Sequence, residues 1–70
     1  MSIPSTGQGH DGPLVCSPTR AKILLDVGTT RLYELLGAGE LESYKDGKSR
    51  KIVVASIHRY IARRLAAEAA

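Results

Sequence analysis

Hydrophobic residues recur at helical spacing in three segments of the chain, which predicts three helices. The apolar positions of the first segment, at i, i+3 and i+4, are Ala21, Leu24 and Leu25. Ser17 is a favourable N-cap, and Pro18 suits the first helical position. We therefore predict a first helix that starts at Ser17 and is broken at residues 26–28, where Gly28 removes helix propensity.

The second and third segments predict two further amphipathic helices. The second runs from about Thr29 to Ala38, and Gly39 is a natural left-handed C-terminal cap. Its apolar positions are Leu32, Leu35 and Leu36. The third runs from about Val54 to Ala67. Its apolar stripe, at i, i+3, i+4 and i+8, consists of Ile57, Tyr60, Ile61 and Leu65.

A β-hairpin is predicted between the second and third helices. Asp46 and Gly47 form a two-residue turn signal, because a type I′ turn needs positive φ at both positions. This turn places Lys45 opposite Lys48, Ser43 opposite Arg50 and Leu41 opposite Ile52. The shared face then has an apolar root and a cationic tip. A one-residue slip would bring Tyr44 onto that face instead.

The N-terminal residues are polar and interrupted by glycine and proline, so we predict a disordered tail over residues 1–16. Residues 17–67 form the predicted domain, and residues 68–70 are expected to fray. The tail contains a formal dinucleotide-binding match from Gly7 to Gly12. That motif needs a preceding strand and a following helix, whereas here Pro13 follows at once, so a flexible tail explains the glycines better.

Length and composition limit the classes of protein. Seventy residues allow one small domain. Ten Lys and Arg against seven Asp and Glu give a net charge of +3, which is compatible with a nucleic-acid partner. Cys16 is the single cysteine, so no intramolecular disulfide can form. We see no apolar run that approaches a membrane span, and we expect a cytoplasmic, nucleoid-associated protein without membrane contact.

Candidate enzyme and metal chemistry is absent from the pattern. The three scattered metal-ligand candidates lack zinc-site spacing: His10, Cys16 and His58. No Ser, His, Cys or acid combination has the local arrangement of a nucleophile and its base. We therefore expect no catalytic residues, no metal, no cofactor and no enzymatic activity.

The ordered set of elements resembles the excisionase-like group of MerR-type winged helix-turn-helix proteins. The residues that carry the resemblance are Leu25-Asp26-Val27-Gly28, Leu32-Tyr33-Glu34-Leu35-Leu36, Gly39-Glu40-Leu41, the basic Gly47-Lys48-Ser49-Arg50-Lys51-Ile52 wing and Ile57-His58-Arg59-Tyr60-Ile61. It covers about residues 17–65 and implies a mainly α fold with a small β-hairpin, in the order α-α-β-β-α. The chain departs from the pattern at Gly28, where Ser or Thr is usual, and at residues 53–56, which lack a polar cap with an acidic first turn.

The resemblance also implies a function. Family members bind DNA with the second helix in the major groove and the wing over an adjacent minor groove or backbone. Many are excisionases, or recombination directionality factors, which bend attachment-site DNA and turn an integrase toward excision; AlpA-like members regulate transcription. We expect a DNA-binding architectural factor of the first kind, with double-stranded DNA, an integrase and further copies of itself as partners. The alternatives are a small transcriptional regulator and, less favoured, a protein-interaction module whose basic hairpin docks an acidic partner.

Five residues of the second helix are candidate DNA contacts: Thr29, Thr30, Arg31, Tyr33 and Glu34. A helix N-terminus offers free N–H groups to phosphate, and Arg31 can bind guanine O6 and N7 together. Glu34 could accept from cytosine, pair with Arg31 or stay solvated; we favour the latter two. For Tyr33, a phosphate contact and a half-buried ring with its hydroxyl in water are equally weighted.

The second group of candidates is the wing: Lys45, Lys48, Ser49, Arg50 and Lys51. A fold gains nothing from crowding like charges on a hairpin tip, which favours contact with a polyanion. The Ser49 hydroxyl could add a hydrogen bond to phosphate. Arg20 and Lys22 on the first helix are further candidates for contact with the DNA backbone.

Overall fold

The computed structural model describes residues 14–69. Within that range the chain forms three helices and a three-stranded antiparallel sheet. The elements are β1 (Val15–Cys16), α1 (Pro18–Leu25), α2 (Thr29–Gly37), β2 (Ser43–Asp46), β3 (Ser49–Val53) and α3 (Val54–Ala69). The glycine-rich match, His10 and most of the predicted tail lie outside the described residues. No helix between residues 14 and 69 has the length and apolar character needed to span a bilayer.

Strand β1 was not predicted, because sequence analysis assigned Val15 and Cys16 to the tail. The structure pairs Val15 with Val53 and Cys16 with Ile52, so that β3 is the central strand in the order β1-β3-β2. Cys16 is only 1% exposed and belongs to the core. Two residues are too few to show the alternation that identifies a strand. The folded domain therefore includes residues before Ser17.

Local capping explains where α1 and α2 begin and end. The Ser17 hydroxyl accepts a hydrogen bond from the Arg20 N–H at 3.1 Å, and Pro18 is the first helical residue, as predicted. Asp26 ends α1 in the left-handed conformation, with φ of 56°. Gly28 caps α2 without any side-chain hydrogen bond, and Gly39 follows its C-terminus with φ of 79°. The starts and ends of α1 and α2 thus lie within one residue of their predicted positions.

Helix α3 follows β3 directly. Ser56 connects it by hydrogen bonds to the end of β3 and to the loop before β2. The Ser56 hydroxyl donates to the Val53 carbonyl at 2.6 Å and accepts from the Glu42 N–H at 3.0 Å. The Val53 N–H in turn donates to the Glu42 carbonyl at 2.9 Å. Ser56 is 2% exposed. It therefore supplies, from the third residue of the helix, a polar anchor that the residues before the helix lack.

The core lies between the helices and the root of the sheet. Its buried apolar residues are Cys16, Ala21, Leu32, Leu35, Leu41, Ile52 and Ile57. Three residues predicted to face it are largely exposed: Leu24 (47%), Ile61 (39%) and Leu65 (65%). Sixteen residues of helix extend about 24 Å. The buried residues of α3 are Ser56 and Ile57, both in its first turns, so the apolar stripe continues beyond the core.

The hairpin register differs from the prediction. The turn is formed by Gly47 and Lys48, not by Asp46 and Gly47. All three predicted pairs are therefore wrong: Lys45 with Lys48, Ser43 with Arg50 and Leu41 with Ile52. The observed pairs are Ser43 with Ile52, Tyr44 with Lys51, Lys45 with Arg50 and Asp46 with Ser49. Among the turn residues Gly47 alone has positive φ, at 64°, which fits a type II′ turn with glycine first. This choice spares Asp46 the left-handed conformation.

The change of register preserves which side chains share a face. Every partner moves by two positions, and side chains alternate with a period of two. Ser43, Lys45, Arg50 and Ile52 therefore still lie on one face, as predicted. Tyr44 stays on the opposite face. Leu41 is not part of the ladder; it is 3% exposed and packs in the core before β2 begins.

Candidate functional site

The hairpin, the start of α1 and one flank of α2 together form a cationic groove of about 490 Å³, here called the hairpin groove. The residues that line it are Ser17, Pro18, Tyr33, Lys45, Lys48, Ser49, Arg50 and Lys51. Four of these are cations and none is an acid, so the lining carries a formal charge of +4. The fold brings together all five predicted wing residues and Tyr33 of α2. The predicted candidates Thr29 and Thr30 begin the same helix.

Arg50 is held in place by a neighbour that sequence analysis did not assign to the site. Its Nη1 donates to the Ser43 hydroxyl at 2.8 Å, in a partly buried position. Lys45 is the cross-strand partner of Arg50, and two like charges opposite each other destabilise a ribbon. A guanidinium has five N–H donors, so the bond to Ser43 leaves others for a ligand. An anion in the groove would relieve the repulsion.

The five wing residues are not equally accessible. Lys45 and Lys48 are exposed, whereas Ser49 and Arg50 are half-buried. Lys51, predicted to be part of the cationic tip, is only 9% exposed and lies opposite Tyr44 in the wall of the groove. A lysine can be buried in this way because its aliphatic stem packs on apolar surface. The accessible charge of the hairpin therefore comes mainly from Lys45, Lys48 and Arg50.

Helix α2 buries Leu32 and Leu35 and exposes its opposite face. Tyr33 is 48% exposed at the edge of the hairpin groove, so its ring is half-buried while it borders the cations. The Thr29 hydroxyl accepts from Lys22 Nζ at 2.9 Å, which joins α1 to the start of α2. Lys22, predicted as a backbone contact, is thus engaged within the protein, whereas Arg20 and Thr30 are exposed.

Arg31 and Glu34 lie on the other flank of α2, away from the hairpin. Arg31 Nη1 and Glu34 Oε1 are 3.3 Å apart, and both side chains are more than half exposed. The hydrogen bond with Glu34, and next the Tyr60 hydroxyl, raise the pKa of Arg31. Of the alternatives weighed for Glu34, the structure shows the pair with Arg31. The predicted recognition residues are therefore divided between two sides of the helix.

A second, smaller groove of about 250 Å³ lies between α2 and α3 and is here called the arginine groove. Its lining residues are Arg31, Glu34, Leu35, Ala38, Glu40, Tyr60, Arg63 and Arg64. Arg63 Nη2 contacts Glu40 Oε1 at 2.7 Å and the Glu40 carbonyl at 3.1 Å. The guanidinium of Arg63 also lies 6.0 Å from the centre of the Tyr60 ring. Three cations against two acids leave the lining at +1.

The α3 arginines were not assigned to the site: Arg63 flanks the apolar stripe, and Arg64, at i+7 from Ile57, interrupts it. Tyr60, Arg63 and Arg64 are spaced i, i+3 and i+4, which puts them on one helix face, and that spacing was a usable signal. Their position beside α2 depends on how α3 packs, which the local pattern does not show. Arg59 points elsewhere and pairs with Glu42 at 3.1 Å.

The described residues offer little for metal or thiol chemistry. Between residues 14 and 69, no group of three or more His, Cys, Asp and Glu side chains could hold a metal ion. Cys16 lies buried in the core, and His58 is exposed on α3.

Comparison of the chain with protein-family models, with curated proteins and with solved structures gives no match.

Proposed function

We propose that this protein is a small DNA-binding protein of the winged helix-turn-helix type. In this assignment α2 enters the major groove and the β2–β3 hairpin is the wing against the backbone or the minor groove. The observation that carries the proposal is the hairpin groove, which has four cations and no acid directly beside α2. Duplex DNA presents one negative charge about every 1.7 Å along its axis, the partner that such a surface suits best.

The dimensions of α2 support the same assignment. A helix with its side chains is about 10–12 Å in diameter, and the major groove of B-DNA is about 12 Å wide. The exposed face of α2 carries Thr30 and Tyr33, which can donate hydrogen bonds to phosphate or to base edges. Tyr33 borders the hairpin cations, so one phosphate could contact both.

The role in the cell is proposed from the resemblance together with the size of the domain. A domain this small makes few base contacts, so specificity requires repeated sites and deformable DNA. An architectural excisionase meets both conditions, since several copies on tandem sites would bend attachment-site DNA for an integrase. A small transcriptional regulator would use the same surface and differ only in the DNA that it prefers.

The test is a fluorescence-anisotropy titration with three duplexes: a nearby attachment site, the region upstream of the gene, and a scrambled control. We expect affinity to fall steeply between about 50 and 200 mM salt, because each phosphate contact releases counterions. Preference for the attachment site supports the excisionase role, and preference for the upstream region supports a regulator. Absence of binding at low salt overturns the DNA proposal and favours a protein-docking hairpin.

A paired variant tests the wing assignment. Lys48→Ala with Arg50→Ala should weaken binding to all three duplexes and lower the salt slope by about 1 for each phosphate that the variant no longer neutralises. The matched control is Arg59→Ala, which removes a cation that pairs with Glu42 and lines neither groove. If the double variant stays within about twofold of the wild-type affinity, the wing is not the contact surface.

A further inference from the structure

Cations flank α2 on both sides. Tyr33 lines the hairpin groove and Arg31 lines the arginine groove. Two residues of helix correspond to a rotation of about 200°, so these side chains leave α2 on flanks about 160° apart. The exposed face, with Thr30, lies between them. The helix therefore forms a ridge with a basic groove on either side.

We propose that the arginine groove contacts the second phosphate backbone that borders the major groove holding α2. A helix in that groove has one backbone on each flank, because the groove is only about 12 Å wide. If the hairpin groove receives one backbone, the arginine groove faces the other. This inference rests on the proposed function and adds α3 to the DNA-binding surface.

Arg64 is the residue that carries most of this contact. Arg63 is held by Glu40 at 2.7 Å, and Arg31 is paired with Glu34 at 3.3 Å. Between residues 14 and 69, Arg64 forms no ion pair, and its side chain is exposed in the groove lining. Its charge is therefore available to a phosphate without breaking an internal pair.

The two contacts differ in strength. The hairpin groove lining carries +4, whereas the two acids of the arginine groove reduce its lining to +1. Counterion release scales with the number of phosphates neutralised, so the arginine groove accounts for fewer of them. An acidic protein segment is the competing occupant, and it would leave DNA affinity independent of Arg64.

The experiment measures DNA affinity and hydroxyl-radical footprints for Arg64→Ala, Arg64→Lys and the wild type. Arg64→Ala should lower affinity about threefold and the salt slope by about 1, whereas Arg64→Lys should retain most of both, since phosphate needs only a point charge. The control Arg59→Ala removes the same charge from the same helix, at a position outside the groove. It should remain within about twofold of the wild type on the same measure.

The footprint provides a second, independent readout. The wild type should protect both backbones along one major groove, and Arg64→Ala should lose protection of one strand only. Unchanged affinity and protection in Arg64→Ala, with the Lys48 and Arg50 variant still impaired, overturns this inference and leaves the proposed function standing. A wild-type protein that binds no duplex at all removes both proposals.

Discussion

Ser56 connects three segments of backbone through one buried hydroxyl. It donates to the carbonyl of Val53 in β3 and accepts from the N–H of Glu42 in the loop before β2. Both contacts lie at the start of α3, where the sequence lacks a conventional polar cap. The hydroxyl thereby links the start of α3 to β3 and to the loop before β2.

Replacing this hydroxyl should destabilise the domain. Ser56→Ala leaves the Glu42 N–H and the Val53 carbonyl without their partner, which should lower the free energy of unfolding by about 1–3 kcal/mol. Urea denaturation followed by circular dichroism measures the change. The control is Thr30→Ala, an exposed position in α2, which should change stability by less than about 0.5 kcal/mol. Equal effects of the two substitutions would show that the Ser56 hydrogen bonds contribute nothing net.

Ser43 is expected to act on DNA only through Arg50. Ser43→Ala removes the hydroxyl to which the Arg50 guanidinium donates at 2.8 Å. DNA affinity should fall about two- to threefold, because the Arg50 side chain is then no longer preorganised. The salt slope should not change, because no charge is removed. In a double-mutant cycle, Ser43→Ala should have no further effect once Arg50 is Ala. Additive effects of the two substitutions would contradict a positioning role.

At the scale of elements, the hairpin depends on one glycine. Gly47 adopts φ of 64°, and a Cβ at this position would meet nothing within 4 Å. The cost of a side chain is therefore that of the backbone conformation alone, about 1–2 kcal/mol for an L-residue.

Substitutions at Gly47 test whether the cost of a side chain comes from the backbone conformation and not from a steric contact. Gly47→Ala should lower the free energy of unfolding by about 1–2 kcal/mol, as measured by urea denaturation. The matched control is D-alanine at position 47 in a chemically synthesised chain, for which positive φ is favourable. It should be at least as stable as the wild type. A loss of stability with both enantiomers would mean that a contact, not φ, is the cause.

The elements that the sequence predicted correctly are those with local signals. Ser17 and Pro18 mark the start of α1 by capping chemistry that needs no distant partner. Asp46 and Gly47 correctly predicted a hairpin, but the turn lies one residue later than predicted. A two-residue turn can hold its glycine at the second position, as predicted, or at the first, as observed. Strand β1 and the arginine groove were missed because each forms only when segments distant in sequence meet.

The same limit applies to the candidate site. Five cations or hydroxyls close in sequence on a hairpin were correctly expected to lie together, although the burial of Lys51 depends on the helices packed nearby. The candidate contacts of the second helix are all exposed, but Tyr33 borders the hairpin groove whereas Arg31 and Glu34 border the arginine groove. Whether Arg31 belongs with the hairpin or with α3 depends on packing that periodicity does not encode.

For the whole molecule, the ion pairs determine which part of the net charge is available. Within residues 14–69, three arginines are paired with glutamates: Arg31 with Glu34, Arg59 with Glu42 and Arg63 with Glu40. No acid of that part of the chain lines the hairpin groove. Most of the acidic charge of residues 14–69 thus lies on the side of α2 and α3, and positive charge is concentrated at the hairpin. This uneven distribution should orient the protein so that the hairpin faces an approaching polyanion.

The pairing of β1 with β3 also has a consequence for variants that remove the N-terminal residues. A chain shortened to begin at Ser17 would lose Cys16 from the core and leave the second edge of β3 without a partner beside the buried Ile52. Unpaired strand edges next to apolar residues template intermolecular sheets.

We therefore expect such a chain to elute as large species in size-exclusion chromatography, whereas one that begins at Leu14 remains monomeric. A monomeric, folded chain that begins at Ser17 would refute this. The expected role of Val15 and Cys16 is thus to cover an edge of β3 that would otherwise pair with another chain.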